Sequence, residues 1–274
     1  MGQLRGIWGH PFINLEPYLD LSVLPEIHEE ICMGLTQVPV AYTGGSHRSM
    51  GIMPPSRVGE AGVDYGEVLA GFDDQERKRF IELAEDPAEV VGRDVLQFGE
   101  EKEHGLSIRQ MLYLKVRYGV YFPWKAFYEM IPNKYWDEKS SAVGKSFTRQ
   151  AKAIFPKTVK LVQSLPFVQV GRCNIMGLEA FDHGTVHKDG EHRDKPAVDH
   201  FITLCPVLNK RLFLWDDGAR TETYVSSHAY WFNDSDYHGV AADPFFRYSI
   251  RVDGVFEPEF FDEIRKQFDP EVRA

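Results

Sequence analysis

The sequence predicts an α+β protein: a largely helical N-terminal part packed against a C-terminal β core. Three observations carry this. Apolar residues step by three and four along several stretches before residue 165. From Phe167 onward the pattern changes to short runs rich in β-branched and aromatic residues. Turn clusters separate those runs at intervals of ~8–12 residues, the spacing of a sandwich or barrel of antiparallel sheets. We expect one body over 1–274, with 1–165 a helical and loop part that supplies a lid, 166–256 the β core, and 257–274 a closing helix.

Residues 1–65 are rich in Gly and Pro and read as a cap of short strands and loops, with one helix over Leu21–Met33. Leu24, Ile27, His28 and Ile31 share a face of that helix. Asp73 or Asp74 caps a second helix reaching Glu85, with Phe80, Ile81 and Ala84 on one side. A third runs from Leu106 to Tyr118, with Ser107 as its cap and Ile108, Met111, Leu112 and Val116 as its apolar side. Tyr118–Trp136 is dense in aromatics, read as packing residues. Val143–Leu165 has the clearest helical pattern, through Phe147, Ala151, Ile154, Phe155, Val159 and Val162, and Pro156 should kink or split it. Gly144-Lys145-Ser146 within it is not a phosphate loop: position 139 is Lys where that motif needs Gly, and no strand precedes it.

Strands follow at Val168–Leu178 in pieces, Phe201–Cys205, Arg211–Trp215, Glu222–Val225, Ala229–Phe232 and Tyr248–Val252. Asp216-Asp217-Gly218 makes the third and fourth a hairpin. Pro258–Phe268 reads as the closing helix, with Phe261, Ile264 and Phe268 on one face.

Composition narrows the function. The chain has 274 residues, 43% apolar and 26% charged, with a formal net charge of −10. That balance disfavours nucleic acid as a partner, because phosphate backbones are bound by Lys and Arg. Cys32, Cys173 and Cys205 are odd in number and far apart, which fits buried thiols rather than disulfides or a zinc knuckle. The N-terminus has no apolar signal region, and no run approaches the ~20 apolar residues of a membrane span. The expectation is a cytoplasmic protein that engages no membrane; oligomeric state is not readable.

The chemistry concentrates in His187-Lys188-Asp189, then His238, then Arg247-Tyr248-Ser249. Two imidazoles and one carboxylate can bind divalent iron on one face and leave the opposite face open. His187 and Asp189 alternate along a strand and share its face. Arg247 and Ser249 share a face in the same way, and a cationic fork with a hydroxyl suits the far carboxylate of an organic acid. A competing pair, His192-x-Asp194, lies in the charged loop Glu191–Lys195 and is disfavoured, since a metal site needs rigid support.

This constellation resembles the iron(II)/2-oxoglutarate-dependent oxygenases. The resemblance covers roughly residues 165–256 and rests on H-x-D, H and R-x-S. Trp231–Val240 with Arg247 and Val252-Asp253-Gly254 looks most like the aspartyl/asparaginyl β-hydroxylase and proline-hydroxylase branches. It implies a double-stranded β-helix, the jelly-roll or cupin-like fold. It implies His187, Asp189 and His238 as ligands of Fe(II), and Arg247 with Ser249 as the site for the distal carboxylate of 2-oxoglutarate. Asn174 and Arg172 are further candidates on the 2-oxoglutarate or substrate side. Related halogenases carry a small residue where this chain has Asp189, so the carboxylate implies hydroxylation or another oxidation. The implied reaction couples O2 and decarboxylation of 2-oxoglutarate to succinate with oxidation of an unactivated C–H bond. The expected substrate is a small polar molecule such as an amino acid or biosynthetic intermediate. Arg48, Arg172, Arg193 and Arg220 are candidates for its carboxylate. Two alternatives stand beside this: a non-catalytic metal- or ligand-binding jelly-roll module, and a cupin-type metalloenzyme that does not use 2-oxoglutarate.

Overall fold

The computed structural model describes residues 3–38, 41–42, 65–90, 106–118, 125–133, 138–178, 180–181, 183–189 and 197–273. Regular structure opens with β1 (Phe12–Asn14) and a tight helical turn at Glu16–Tyr18. Next come α1 (Leu24–Gly34), β2 (Ala41–Tyr42), α2 (Tyr65–Ala70), α3 (Asp74–Ile81), α4 (Pro87–Val90) and α5 (Ile108–Tyr118). Helix α1 starts with a proline in its first turn, where the missing N–H costs nothing, and buries Leu24, Ile27 and Ile31. Asp73 caps α3, accepting from the Glu76 amide at 2.8 Å. Ser107 and Gln110 form a reciprocal capping box on α5, with Gln110 N donating to Ser107 Oγ at 3.0 Å and Ser107 N to Gln110 Oε1 at 2.9 Å.

The apolar side of α5 differs from expectation. Met111 and Leu114 are buried, while Ile108, Leu112 and Val116 are exposed. The buried side packs with Leu69, Phe72, Phe80, Ala84 and Leu106, a second cluster apart from the main core.

The aromatic-rich segment contains a strand, β3 (Lys125–Ile131), which the sequence pattern had not indicated. Tyr128 packs on Phe155 and its hydroxyl meets Thr148 Oγ1 at 2.8 Å. The long helical pattern is split, as Pro156 requires, into α6 (Arg149–Ile154) and α7 (Pro156–Ser164). It also begins later than the periodicity suggested. Gly144 has φ +69°, and Thr148 caps α6 by accepting from the Ala151 amide at 2.9 Å. Residues 143–148 therefore lie outside the helix.

The remaining elements are β4 (Phe167–Leu178), β5 (Gly184–His187), β6 (Phe201–Leu204), β7 (Leu212–Asp216), β8 (Thr221–Tyr224), β9 (Ala229–Phe232), β10 (His238–Val240), β11 (Arg247–Phe256), α8 (Pro258–Phe268) and α9 (Pro270–Arg273). They build two antiparallel sheets. The larger is ordered β1-β9-β6-β11-β4-β3-β2 and the smaller β5-β10-β7-β8. From β4 onward the chain alternates between them except at the β7–β8 hairpin: β4, β6, β9 and β11 are in the larger sheet, and β5, β7, β8 and β10 in the smaller.

The β7–β8 hairpin forms as expected, with Asp216 Oδ1 accepting from the amides of Gly218 and Ala219. Its left-handed residue is Arg220 (φ 53°) rather than Gly218, because the loop is longer than the two-residue Asp-Gly type. On α8 the buried pair is Phe260 and Ile264, with Phe261 and Phe268 partly buried against the core. No helix among the described residues is long and apolar enough to cross a membrane.

Candidate metal centre

Strand β10 lies between β5 and β7, and its register sets His238 directly opposite His187. Gly239 makes that closeness possible. A Cβ there would sit 2.7 Å from the Phe213 ring and 2.9 Å from the carbonyl oxygen of Gly184. Asp189 follows β5 and is held by its own amide, which donates to Asp234 O at 2.8 Å. The His187 side chain lies outside the described residues, as does the competing pair His192 and Asp194. Among the described residues no group of three or more His, Cys, Asp or Glu side chains gathers to hold a metal.

Two of the expected ligands do face each other. His238 Nε2 is 3.9 Å from Asp189 Oδ1, and both side chains are buried. At that separation one ion can lie ~2.0–2.2 Å from each donor. His238 Nδ1 is 2.9 Å from Asp236 O. A carbonyl only accepts, so Nδ1 carries a proton, and Nε2 is the nitrogen turned toward Asp189. The Phe232 ring packs against this imidazole, with centroids 5.0 Å apart.

The loop that presents His238 is secured from the chain's other end. Asp236 accepts hydrogen bonds from the Arg5 amide at 3.1 Å and the Gly6 amide at 2.7 Å.

A buried ion network surrounds Asp189. Arg251 reaches Asp189 Oδ2 at 3.3 Å, Asp234 at 2.8 Å and Asp253 at 3.0 Å. Lys139 bridges Asp234 and Asp199, each at 2.8 Å, and Arg172 pairs with Asp253 at 2.8 Å. Burial alone would lower the Arg251 pKa. Asp253, Asp234 and Asp189 outweigh it, so the guanidinium stays fully charged. Burial would likewise raise the Asp253 carboxyl, but Arg172, Arg251 and Lys139 hold it below its usual value. Arg251 also lies over the Phe201 ring, 4.0 Å from its centroid. The Asp189 oxygen gripped by Arg251 is not the one facing His238. This fixes the carboxylate with its other oxygen turned toward the imidazole.

Strand alternation gives β11 one face carrying Arg247, Ser249, Arg251 and Asp253, with Tyr248, Ile250 and Val252 on the other. Arg247 is fully buried. Its Nη2 donates to Ala241 O at 2.6 Å and its Nη1 to Phe245 O at 3.3 Å, with Asp243 3.7 Å from Nε. Ser249 accepts from the Lys210 ammonium. Burial lowers Lys210 to about 8, with Arg251 and Arg247 adding to the effect and Cys205 opposing it.

Of the other expected residues, Arg172 is committed to Asp253, and Asn174 is buried on β4 with its Cα opposite Arg251. Arg220 is exposed, and Arg48 and Arg193 lie outside the described residues. His200 is a packing histidine: it stacks on Phe256, and its Nδ1 accepts from the Phe256 amide at 3.1 Å.

Sequence reading missed Arg251, Asp253, Asp234, Lys139 and Lys210. Arg251 and Asp253 were within reach, since they continue the Arg247/Ser249 alternation on and just past the expected strand Tyr248–Val252. Asp234, Lys139 and Lys210 lie outside helices and strands, where no period marks an inward-pointing side chain.

No family model matches the chain, and no curated protein matches its sequence. Among the solved structures similar to part of it is an oxidoreductase of the 2OG-Fe(II) oxygenase family from Burkholderia pseudomallei. The TM-score is 0.32 and the identity 9%, covering 48% of this chain and 68% of that one.

Proposed function

We propose that this protein is an Fe(II)- and 2-oxoglutarate-dependent oxygenase on a double-stranded β-helix, oxidising a C–H bond of a small polar substrate. One observation carries the reading. Nε2 of His238 is turned toward Asp189, with Nδ1 occupied by a backbone carbonyl, and His187 stands opposite His238 across the β5–β10 register. The alternation of β4–β11 between two antiparallel sheets supports the fold part of the proposal.

In this reading His187, Asp189 and His238 hold iron, and Arg247 with Ser249 form the end that takes the distal carboxylate. The bound metal and its keto-acid partner would supply the oxidising chemistry, with succinate and CO2 as by-products. The protein's own residues orient and exclude. Arg251 keeps Asp189 aimed, Asp236 holds the His238 ring through Nδ1, and Phe232 packs against that ring. Asn174 and Arg172 complete the same interior, facing Arg251 and Asp253 across the β4–β11 pairing.

The deciding experiment is a screen for succinate release from 2-oxoglutarate with Fe(II), across amino acids and small metabolites. Turnover that depends on both iron and one substrate is the expected result. A protein that binds metal but releases no succinate with any substrate would favour a non-catalytic binding module. Substrate oxidation with no need for 2-oxoglutarate would favour a cupin-type enzyme.

A further inference from the structure

Strand β3 brings one acidic side chain to the interior of the larger sheet. Glu129 lies between Tyr128, which packs on Phe155, and Met130, which sits beside Cys173. Both neighbours are buried in the apolar core, so strand alternation turns Glu129 to the opposite face. Register extends that face into a row. Glu129 stands opposite Asn174 on β4, and Asn174 stands opposite Arg251 on β11. Neighbouring strands lie about 4.8 Å apart, so Glu129 is roughly 10 Å across the sheet from Arg251. Arg251 in turn touches Asp189. The row leads from the candidate metal centre to a carboxylate, over a distance that a small molecule spans.

Two acceptors in this row lack protein donors. Asn174 is 1% exposed, and its Oδ1 has no hydrogen-bond partner among the described residues. The half-buried Glu129 makes no side-chain hydrogen bond or ion pair among the described residues. Burial raises its carboxyl, and the charge of Arg172 opposes that rise. The cations on this face are engaged by other carboxylates: Arg251 by Asp189, Asp234 and Asp253, Arg172 by Asp253, and Lys139 by Asp234 and Asp199. Directly opposed residues have Cβ atoms about 5 Å apart, so the carboxylate and the amide oxygen lie side by side. Leaving such a pair without donors is costly. One ligand chemistry matches it: a primary ammonium, with three donors and a positive charge.

We propose that Glu129 and Asn174 bind the ammonium group of the substrate, which makes that substrate an amine or amino acid rather than a neutral or purely anionic metabolite. This rests on the oxygenase reading above and narrows its substrate class. The amine is anchored at β3 and β4, and the carbons beside it extend along the row toward Asp189 and His238.

The test is anaerobic calorimetry on the full chain with Fe(II) and 2-oxoglutarate present. L-amino acids and alkylamines are titrated, each beside the counterpart that carries a hydroxyl in place of the ammonium. At least one amine should bind about 10–100-fold tighter than its counterpart, as expected for a charge-assisted hydrogen bond. Glu129→Gln should remove most of that preference and leave the affinity of the hydroxyl counterpart unchanged. Asn174→Leu should weaken amine binding about fivefold, the loss of one ordinary hydrogen bond. Without substrate, Glu129→Gln should unfold at the wild-type urea midpoint or above it, because it removes a carboxylate that no protein donor satisfies. No ammonium preference anywhere in the panel, or a preference that survives in Glu129→Gln, would overturn the proposal. So would a Glu129→Gln protein that is destabilised or does not fold, since that marks a structural carboxylate. The oxygenase reading is judged separately, by titrating 2-oxoglutarate into the Fe(II)-loaded protein. Binding there without any ammonium preference leaves that reading standing, whereas no binding of 2-oxoglutarate sinks both.

Discussion

At the scale of single residues, the site depends on what each donor is prevented from doing. His238 has one nitrogen committed to Asp236 O, and Asp189 has one oxygen committed to Arg251. Asp189→Ala and His238→Ala should each abolish tight Fe(II) binding in an anaerobic metal titration. Wild-type affinity in either variant would show that the metal site has been misplaced. Arg251→Leu should cost about 3–5 kcal/mol in urea unfolding, because it strands three buried carboxylates without their shared cation. A loss under ~1 kcal/mol would mean that Lys139 and Arg172 suffice. The motifs H-x-D, H and R-x-S were legible because they fall on one run of strands. The ion network was not, because the partners of Arg251 come from three separate stretches, at Asp189, Asp234 and Asp253. Only folding brings them together.

At the scale of elements, close approaches and caps decide geometry. Gly239→Ala would drive a methyl into the Gly184 carbonyl and the Phe213 ring, spreading β5 from β10. The expected result is a marked drop in Fe(II) affinity with far-ultraviolet circular dichroism nearly unchanged; unchanged affinity would show that the strand spacing is dispensable. Ser107→Ala removes one half of the α5 capping box and should cost about 0.5–2 kcal/mol. Most elements were readable from period and caps, and the failures have physical causes. Helix α5 offers two apolar stripes. Periodicity favoured Ile108, Met111, Leu112 and Val116; of these only Met111 is buried, and it packs with Leu114, Phe72 and Phe80. Strand β3 was obscured because its aromatic neighbours look alike whether packed on a sheet or on helices.

At the scale of the whole molecule, the buried charges predict how stability changes at both ends of the pH scale. Asp253 has a folded pKa below its ordinary 3.8, so its stabilising contribution is present above that value and is lost as pH falls through the lower folded one. Urea midpoints should fall steeply below pH 4, and Asp253→Asn should flatten that limb. Lys210 gives the same sign of slope at the other end of the scale. Between about 8 and 10.5 the unfolded chain holds more protons than the folded one, so this residue makes stability rise with pH over that window. Lys210→Met should remove that rise in a pH series of unfolding curves.

The two amides that Asp236 accepts belong to residues 5 and 6, some 230 positions away. That contact closes nearly the whole chain into a non-covalent ring, and ring closures over such separations come late in folding. Arg5 and Gly6 are made long before Asp236, yet must wait for it. During refolding, their amides should gain protection from hydrogen exchange together with residues 233–238, after the β7–β8 hairpin has formed.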